Sequence, residues 1–371
     1  MVLIFEVLLG IYSLLVLLFF LKWVRIDLNK SNAANSNLFI TAIIPVRNEG
    51  ENIEKLLWSF ENQTLDKAKF EVIVVNDHST DHTEALVLAF AQKSKLNLKL
   101  IHLENVDGSP KKRALTQAIA ESKGNIIFTT DGDCKLSEGL LLKYVQIFGD
   151  SKVKFISGPV TFFREKVGFW ALLWERVQTV EFASLLGSAA ASLALGSPNM
   201  CSGANLAYRK KTFYELNGYE GNLNIASGDD EFLMHKFSAA YPTSLVYAKD
   251  AACIVQTRAC ETPKVFYKQR KRWASKWNQY NSILPTLLAV FIFLSNVGML
   301  VLLYENAYLF VAVRVGIEIL FLGSVLRFLR RKDAIVFIPL VQIIYPFYVM
   351  FFGLVSIFAP KAYDWKGRKL K

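Results

Sequence analysis

The apolar residues of this chain gather in four long runs. The first covers residues 7–21, and the other three, 283–303, 307–326 and 334–358, follow one another near the C-terminus. Each of the last three is long enough for a helix that spans a bilayer, which takes about 20 residues. The pattern predicts a membrane protein with helices at both ends and a soluble region between them.

The charges around the first run indicate how it is used. No Lys or Arg precedes it, whereas Lys22, Arg25 and Lys30 follow it. A cleavable signal peptide has the reverse order, with positive charge before its apolar core. Positive residues also mark the cytoplasmic end of a membrane helix. We expect an uncleaved anchor over residues 1–24, with its N-terminus outside, and a linker over 25–37.

The last apolar run leaves the membrane topology open. Four complete spans that start outside would leave the C-terminus outside as well. The tail, residues 359–371, is basic and therefore favours the cytoplasm. Pro339 and Pro346 could bend the last run into a re-entrant hairpin, so the region 283–358 is expected to hold two or three spans.

The region 38–262 alternates short apolar stretches with stretches of helical spacing. This alternation predicts an α/β domain with a parallel sheet wound right-handedly. Ligands bind such sheets at the carboxyl ends of the strands, and Asp77 and Asp131 each follow a strand, so we expect them to share a site. The expected strands are 39–45, 70–75, 98–103 and 125–130, and the expected helices are 51–60, 81–92 and 111–122.

Composition narrows the class of partner. The net charge is +11 and hydrophobic residues make up 53% of the chain. A basic chain favours anionic partners such as lipid headgroups, nucleotides or nucleic acid. Several basic clusters flank apolar runs, which favours the membrane, and no nucleic-acid-binding module is visible. The four cysteines form no C-x-x-C pair, which is typical of free thiols in a reducing, cytoplasmic compartment.

Four short motifs carry the candidate chemistry. The carboxylate of Asp77 can accept a hydrogen bond from a uracil or guanine N–H. Asp131 and Asp133 lie on a tight Gly turn after an apolar strand, where carboxylates can hold Mg²⁺ or Mn²⁺ against a diphosphate. The motifs are Val75-Asn76-Asp77, Asp131-Gly132-Asp133, Gly228-Asp229-Asp230-Glu231 and Gln269-Arg270-Lys271-Arg272-Trp273.

In this order the motifs resemble those of the membrane-embedded family 2 glycosyltransferases, which have the GT-A fold. The resemblance extends over about residues 39–277. It implies that Asp77 holds the nucleobase and that Pro45, Asn48 and Glu49, which match an opening P-x-x-N-E pattern, line the nucleoside pocket. It also implies that Asp133 is the metal-binding carboxylate and that Asp131 contacts the donor.

The segment that begins at Gly228 resembles the family's E-D-x-x-L motif, with Asp229 in place of the usual Glu. An acceptor hydroxyl must lose its proton during transfer, which requires a base. The resemblance makes Asp230 that base and places Asp229 in the acceptor region. The alternative is an acidic first turn of a helix, stabilised by the helix dipole.

The last motif matches the family's Q-x-x-R-W pattern. The resemblance implies that Gln269 and Arg272 bind the donor diphosphate and that Trp273 contacts both donor and acceptor. Aromatic and basic residues surround the motif, so residues 263–282 are expected to form an amphipathic helix in the membrane interface. A basic helix that only faces lipid is the alternative.

Two further segments resemble family patterns. Lys111 matches the Lys of a G-K-x-x-A-L helix and either approaches phosphate or is solvated. Gly203 and Asn205 match a G-x-N-x-x-Y-R segment that lines the acceptor region.

Arg314 and Glu318 lie four residues apart inside an apolar run, where they form a structural pair or contact a lipid acceptor.

The resemblance implies an inverting transferase that moves a sugar from a UDP- or GDP-sugar to a lipid or lipid-linked glycan. Its cofactor would be Mg²⁺ or Mn²⁺, and it would be an integral protein of the inner (plasma) membrane with a cytoplasmic catalytic domain. A processive polysaccharide synthase of the same family is the first alternative. A catalytically silent membrane scaffold is the second, and nucleic acid is not an expected partner.

Overall fold

A computed structural model describes residues 2–27, 38–104, 108–164, 168–225, 227–274, 284–358, 363–365 and 368–370. Most of the predicted linker 25–37 and part of the tail 359–371 lie outside these residues. The chain divides into two compact units. The sheet unit comprises Ile26–Phe163 and Ser192–Arg258, and the helical unit comprises Met1–Arg25, Arg164–Ala191 and Ala259–Lys371.

The described part of the sheet unit contains two sheets. Seven strands form the larger sheet, in the order β3-β2-β1-β4-β8-β6-β9, and three form the smaller, in the order β5-β10-β7. The strands are β1 (Ile40–Val46), β2 (Phe70–Asn76), β3 (Leu98–His102), β4 (Ile126–Thr129), β5 (Lys135–Leu136), β6 (Phe155–Ser157), β7 (Val160–Phe162), β8 (Leu206–Arg209), β9 (Leu245–Tyr247) and β10 (Val255–Thr257).

The first four strands confirm the predicted parallel α/β arrangement. Strand β1 pairs in parallel with β2 on one side and with β4 on the other. Strands buried on both faces are expected to be continuously apolar, and all seven residues of β2 are buried. Strand β8 breaks the parallel pattern because it runs antiparallel to both β4 and β6. The larger sheet is therefore mixed, although most of its pairings are parallel.

Helices of the sheet unit connect and cover these strands. Pro110 occupies the first turn of the helix that carries Lys111, a position where its missing N–H leaves no hydrogen bond unmade. The helices are α2 (Ile53–Glu61), α3 (Thr83–Lys93), α4 (Pro110–Glu121), α5 (Leu140–Phe148), α7 (Lys210–Glu215) and α8 (Asp229–Ala240). Helix α6 (Phe169–Ala194) lies mainly in the helical unit.

Within the described residues of the helical unit, four helices are long and apolar enough to cross a membrane: Val2–Arg25, Thr286–Tyr304, Tyr308–Phe328 and Lys332–Val355. The helices of this unit are α1 (Val2–Arg25), α6, α9 (Pro263–Ala274), α10 (Leu284–Tyr304), α11 (Tyr308–Phe328) and α12 (Ile338–Phe358). The predicted anchor and the three predicted apolar runs thus each become a helix.

Helix α12 bears on the possible re-entrant hairpin, which the sequence left open. It is one helix with Pro346 inside it, preceded by a 3-10 turn over Lys332–Phe337. Proline removes one backbone hydrogen bond and can bend a helix, but it does not force the chain to reverse. The C-terminal region therefore has three helices of spanning length.

Helix α1 is part of the helical bundle. Leu9 packs in a buried cluster with Met299, Leu302 and Val311. At the other end of α1, the ring of Trp23 lies 5.3 Å from the ring of Phe328 at the end of α11. The basic ends of α1 and α11 thus lie side by side, as expected for two helices with their positive ends on one side of a membrane.

Arg314 and Glu318 form the predicted pair inside α11. Arg314 is fully buried, and its Nε lies 3.4 Å from Oε1 of Glu318. Its other guanidinium nitrogens donate to the carbonyl of Ser295 at 3.0 Å and to Oδ1 of Asn296 at 2.9 Å. The hydroxyl of Tyr12 donates to Oε1 of Glu318 at 2.7 Å. All three nitrogens are engaged inside the unit, so the geometry supports the structural pair over contact with a lipid acceptor.

Candidate active site

Three strands of the sheet unit end at the same edge, and the candidate residues follow them. Asp77 comes directly after β2, and its N–H donates to the carbonyl of Val46 at the end of β1 at 2.8 Å. Asp131 follows β4 after one residue, Thr130, whose N–H donates to the carbonyl of Ile43 at 3.3 Å. The expected meeting of these two segments at one sheet edge is confirmed.

The loop after β1 is fixed to the loop after β2. Asn48 has φ 53°, in the left-handed region, and its Oδ1 accepts from the N–H of Thr80 at 2.8 Å. The N–H of Asn48 donates to Oγ of Ser79 at 3.0 Å. Arg47 donates to the carbonyl of Asp77 at 2.8 Å. Asn tolerates this backbone conformation better than most residues. The conformation is therefore a structural reason for Asn at this position of the opening pattern.

Asp81 has the role of a helix cap. Its Oδ1 accepts from the N–H of Thr83, the first residue of α3, at 3.1 Å. Its Oδ2 accepts from the N–H of Gly50 at 2.9 Å. Desolvation raises the pKa of Asp81, but the hydrogen bonds from Thr83 and Gly50 outweigh it and lower the pKa below its ordinary value.

Asp77 and Glu49 are both buried at this edge. Asp77 is 3% exposed, and its Oδ1 lies 3.2 Å from Nδ1 of His78. Glu49 accepts from the amide of Asn52 at 2.9 Å. A Cβ at Gly132 would lie 2.8 Å from Cγ of Glu49, so this close approach requires glycine in the acidic turn. Pro45, the other residue of the opening pattern, is half-buried in β1.

The two carboxylates of the acidic turn point to different partners. Oδ1 of Asp131 lies 2.8 Å from Nζ of Lys111. Oδ2 of Asp133 accepts from the hydroxyl of Thr257, on β10, at 3.1 Å. The turn therefore separates its carboxylates, as the prediction of one donor contact and one metal ligand requires.

Lys111 joins the acidic turn to the start of α8. Its Nζ also lies 3.3 Å from Oδ2 of Asp229. Burial lowers the pKa of Lys111, but the carboxylates of Asp131 and Asp229 outweigh burial and raise that pKa well above its ordinary value. Lys111 is therefore a permanent cation beside these acids, and the alternative of a merely solvated side chain is wrong.

Asp230, the predicted base, lies in the first turn of α8. Its Oδ2 accepts from the N–H of Gly203 at 2.9 Å, and its Oδ1 accepts from the N–H of Glu231 at 2.8 Å. A Cβ at Gly203 would lie 3.2 Å from both Nζ of Lys111 and Oδ2 of Asp229. Glycine at this position therefore leaves room at the centre of the acid cluster. An acidic first turn is also stabilised by the helix dipole. This stabilisation is compatible with a role of Asp230 as base.

Asn205 requires a correction. It was expected in the acceptor region, but its side chain is fully buried. It accepts from the hydroxyl of Tyr144 at 2.5 Å and donates to the carbonyls of Pro159 and Cys253, each at 2.8 Å. An amide with these internal partners does not contact a substrate. Its role is to hold β8 and the preceding Gly203 turn in place.

The acidic turn fits a divalent cation that arrives with a diphosphate. Among the described residues, no group of three or more His, Cys, Asp or Glu side chains could hold a metal ion by itself. Mg²⁺ commonly uses one or two carboxylates together with substrate phosphates, and Asp133 supplies such a carboxylate. Burial raises the pKa of the neighbouring Cys134 thiol, and the carboxylate of Asp133 raises it further.

Residues 41–216 match the family model described as Glycosyl transferase family 2. Glycosyltransferase AglE of Haloferax volcanii is 28% identical over 212 residues, which cover 57% of this chain and 65% of that protein. Poly-beta-1,6-N-acetyl-D-glucosamine synthase of Staphylococcus aureus is 26% identical over 265 residues, covering 69% of this chain and 59% of that protein. The chain thus spans 59% to 65% of the length of these two relatives.

A solved structure shares the fold. Mannosyltransferase PcManGT from Pyrobaculum calidifontis, in complex with GDP-Man and Mn²⁺, matches with a TM-score of 0.54 and 16% identity. The match covers 94% of this chain and 99% of that one. The expected α/β fold, with a mostly parallel sheet and apolar helices at both ends, is confirmed.

The Q-x-x-R-W motif lies outside residues 41–216, which match the family model. It is on α9 of the helical unit. Arg270, which the pattern does not specify, is 4% exposed and pairs with the carboxylate of Glu181. Its guanidinium lies 4.2 Å from the ring of Trp273, and Gln269 accepts a hydrogen bond from it. Donor contact by Gln269, Arg272 and Trp273 stays a prediction, and residues 275–282 of the expected amphipathic helix lie outside the described residues.

Sequence reasoning missed two residues of the sheet unit, Thr257 and Lys112. Thr257 supports Asp133, and nothing in its surroundings marks it in the sequence. Lys112 stands beside the predicted Lys111 but is completely buried. Helix phase could have separated the two lysines, because neighbours on a helix point about 100° apart.

Proposed function

We propose that the protein is an inverting glycosyltransferase that uses a nucleoside-diphosphate sugar and a lipid or lipid-linked glycan acceptor. One observation carries the proposal: Lys111 bridges Asp131 and Asp229 at the sheet edge where Asp230 bonds to Gly203. A donor-binding acid, a permanent cation and a base thus converge in a family 2 domain. Acceptors in the membrane account for the four apolar helices.

Asp230 acts as the general base. Its carboxylate takes the proton of the acceptor hydroxyl while the hydroxyl oxygen bonds to the anomeric carbon and the bond from that carbon to the diphosphate breaks. The N–H groups of Gly203 and Glu231 orient the carboxylate before the acceptor arrives. A positioned base of this kind typically contributes about 10²- to 10⁴-fold to the rate.

The remaining residues bind and orient the donor. Asp77 accepts from the nucleobase, and the loop with Pro45, Asn48 and Glu49 lines the nucleoside. Asp133 holds Mg²⁺ or Mn²⁺, which, when bound, neutralises charge on the leaving diphosphate. Lys111 keeps the carboxylates of Asp131 and Asp229 at fixed positions through its two ion pairs.

The motif on α9 extends this set. Gln269 and Arg272 are proposed to bind the diphosphate, and Trp273 to contact donor and acceptor. The protein is proposed to lie in the inner (plasma) membrane with the sheet unit in the cytoplasm. This orientation agrees with the basic ends of α1 and α11, which lie side by side.

Processive synthesis is a second candidate. The Q-x-x-R-W motif is associated with processive enzymes of this family, and one relative is a polysaccharide synthase by name. The two candidates share the same chemical step, so they differ only in product length.

The test is sugar transfer by the detergent-purified protein with a panel of UDP- and GDP-sugars, Mn²⁺, and a bacterial lipid extract. We expect one donor to be turned over in a reaction that needs both metal and lipid. Asp230→Asn should lower kcat by about 10²- to 10⁴-fold while donor affinity is retained. Glu231→Gln, one residue further along α8, is the matched control and should keep most activity.

Three outcomes would change the proposal. Unchanged turnover in Asp230→Asn would remove the base assignment. A ladder of products would favour processive synthesis over a single transfer. No turnover of any donor, together with no metal-dependent nucleotide binding, would favour the silent scaffold.

A further inference from the structure

The loop between α7 and α8 leads directly into the predicted base, and a buried lysine holds it. The ammonium of Lys112 donates to the carbonyls of Asn222 at 2.7 Å, Ile225 at 2.8 Å and Ser227 at 3.3 Å. Lys112 is 0% exposed. An ammonium has three N–H donors, and each of them can be matched here by one carbonyl of the same short loop.

The position of Lys112 on α4 explains why it reaches the loop. Lys111, its neighbour, lies against Asp131 and Asp229, and the next side chain on a helix points about 100° away. In the first turn of α4, Lys111 thus contacts the carboxylates of Asp131 and Asp229. Lys112 contacts the loop that leads to Asp229 and Asp230. Two adjacent, chemically identical residues therefore act on the site in different ways.

The start of α4 follows the loop closely. The N–H of Ser109 donates to the carbonyl of Leu223 at 2.8 Å. Gly108 has φ +81°, and a Cβ at this position would lie 2.8 Å from the same carbonyl. Only glycine combines this backbone conformation with so close an approach. The loop therefore lies directly against α4, and Lys112 is the charged part of that contact.

Lys112 also contacts α8 beyond the base. Its ammonium lies 5.3 Å from the ring centre of Phe232, two residues after Asp230. On the other side, Ser227 precedes Gly228, which has φ 80° and ends the loop. Lys112 thus contacts the chain on both sides of Asp230. Moving the loop would leave a buried charge without its acceptors, which is costly in the protein interior.

We propose that Lys112 is a positioning residue: it fixes the turn at Gly228 and thereby places the carboxylate of Asp230 against the N–H of Gly203. This inference rests on the proposed function, since it gives a role to Asp230 as base. Lys112 itself, enclosed by the loop, does not touch substrate.

Lys236 offers a matched control on the same loop. Its ammonium donates to the carbonyls of Leu216 at 3.4 Å, Gly218 at 2.7 Å and Glu220 at 2.8 Å. It therefore makes the same kind of contact with the other end of the loop, away from Gly228. Both lysines stabilise the loop, but only Lys112 holds the part that joins Asp230.

The experiment compares Lys112→Met with Lys236→Met in the full-length protein. We expect Lys112→Met to lower kcat about 10- to 100-fold, because small displacements of a catalytic group cost that much, with the KM for the donor changed by less than about threefold. Lys236→Met should keep kcat within about threefold. Lys112→Arg, which keeps the charge and the donors, should restore most of the lost kcat.

A second readout does not depend on turnover. Hydrogen exchange of peptides that cover residues 203–206 and 228–233 should become faster in Lys112→Met and stay unchanged in Lys236→Met. Equal effects of the two variants, in exchange or in kcat, would overturn the proposal. If the wild type transfers no sugar, the proposed function fails, whereas the exchange data still decide whether Lys112 positions Asp230. If Lys112→Met does not fold, Lys112→Gln and Lys236→Gln, which remove the charge but keep a polar group, carry the same comparison.

Discussion

The two units of this protein bury their cations in different ways. In the sheet unit, Lys111 pairs with carboxylates at the candidate site, but Lys112 and Arg209 donate to backbone carbonyls. Arg209 donates to the carbonyls of Phe148, Val153 and Asp150 at 2.7 to 3.0 Å, and Lys112 binds three carbonyls of one loop. In the helical unit, the buried arginines pair with carboxylates.

The arginines of the helical unit illustrate the second pattern. Arg270 pairs with Glu181, and Arg314 with Glu318. Arg331, which is 1% exposed, lies 2.6 Å from Glu175. Carbonyls inside a helix already accept a hydrogen bond from the backbone, whereas loops leave carbonyls available. Each of these three arginines is accompanied by a carboxylate, and Arg314 donates to the helix carbonyl of Ser295 in addition.

The difference has a consequence for mutation. Removing one partner of a buried ion pair leaves the other charge without a counter-ion, whereas removing a lysine or arginine from a set of carbonyls leaves only neutral groups. Losses in the helical unit should therefore be larger, and they should be repaired by removing the second partner.

The largest effect is expected for Glu318→Leu. It leaves the guanidinium of Arg314 buried without its carboxylate, so we expect a loss of about 3 to 5 kcal/mol in the free energy of unfolding. The double variant Arg314→Met with Glu318→Leu should regain most of that loss, since an apolar replacement of both partners is often neutral. SDS titration of the detergent-solubilised protein measures the free energy of unfolding of both variants. A double variant as unstable as Glu318→Leu alone would contradict the expectation that removing the second partner repairs the loss.

A smaller effect is expected for Arg209→Met in the sheet unit. The variant loses the hydrogen bonds that the half-buried guanidinium donates to three backbone carbonyls, but it leaves only neutral groups and no unpaired charge. We expect a loss of about 1 to 3 kcal/mol in the free energy of unfolding. The same SDS titration measures it, with exposed Lys211→Met as control. A loss as large as that of Glu318→Leu would remove the distinction between the units.

The smallest effect is expected for Asp81→Ala. This variant loses hydrogen bonds from backbone N–H groups but leaves no buried charge without a partner. Loss of such a helix cap typically costs about 1 kcal/mol. Because the pKa of Asp81 is lowered in the folded protein, its contribution is fully present above the unfolded pKa and is lost as the pH falls through the folded value. The difference in Tm between Asp81→Ala and the wild type should thus shrink in acid. A difference that is independent of pH would show that the carboxylate charge is not involved.

Sequence patterns predicted the local elements well and the distant pairings poorly. The strands β1 to β4 and their helices lie within about two residues of the predicted bounds, because continuous apolar stretches and turn residues mark them locally. The insertion of β8 beside β4 was not predicted, since Leu206 pairs with Thr129 across a long stretch of chain. No periodicity encodes a partner so far away.

The candidate site shows the same limit. The motifs correctly predicted the edge of the sheet at which Asp77, Asp131, Asp229 and Asp230 lie, because each acid follows a strand or begins a helix. Their supporting residues were missed or misjudged. Asn205 matches a family pattern but is buried among carbonyls, a property that depends on tertiary packing rather than on the motif.

The hydrogen bond between Tyr12 and Glu318 also bears on how the chain is made. The two residues are 306 positions apart, so at typical rates of synthesis Tyr12 emerges from the ribosome about 15 to 60 s before Glu318. During that interval α1 lacks its partner helices, while the whole sheet unit is synthesised and can fold. Closure of the helical bundle is therefore a late event, and variants that weaken Glu318 should lengthen the period in which a folded sheet unit is attached to an incomplete helical bundle.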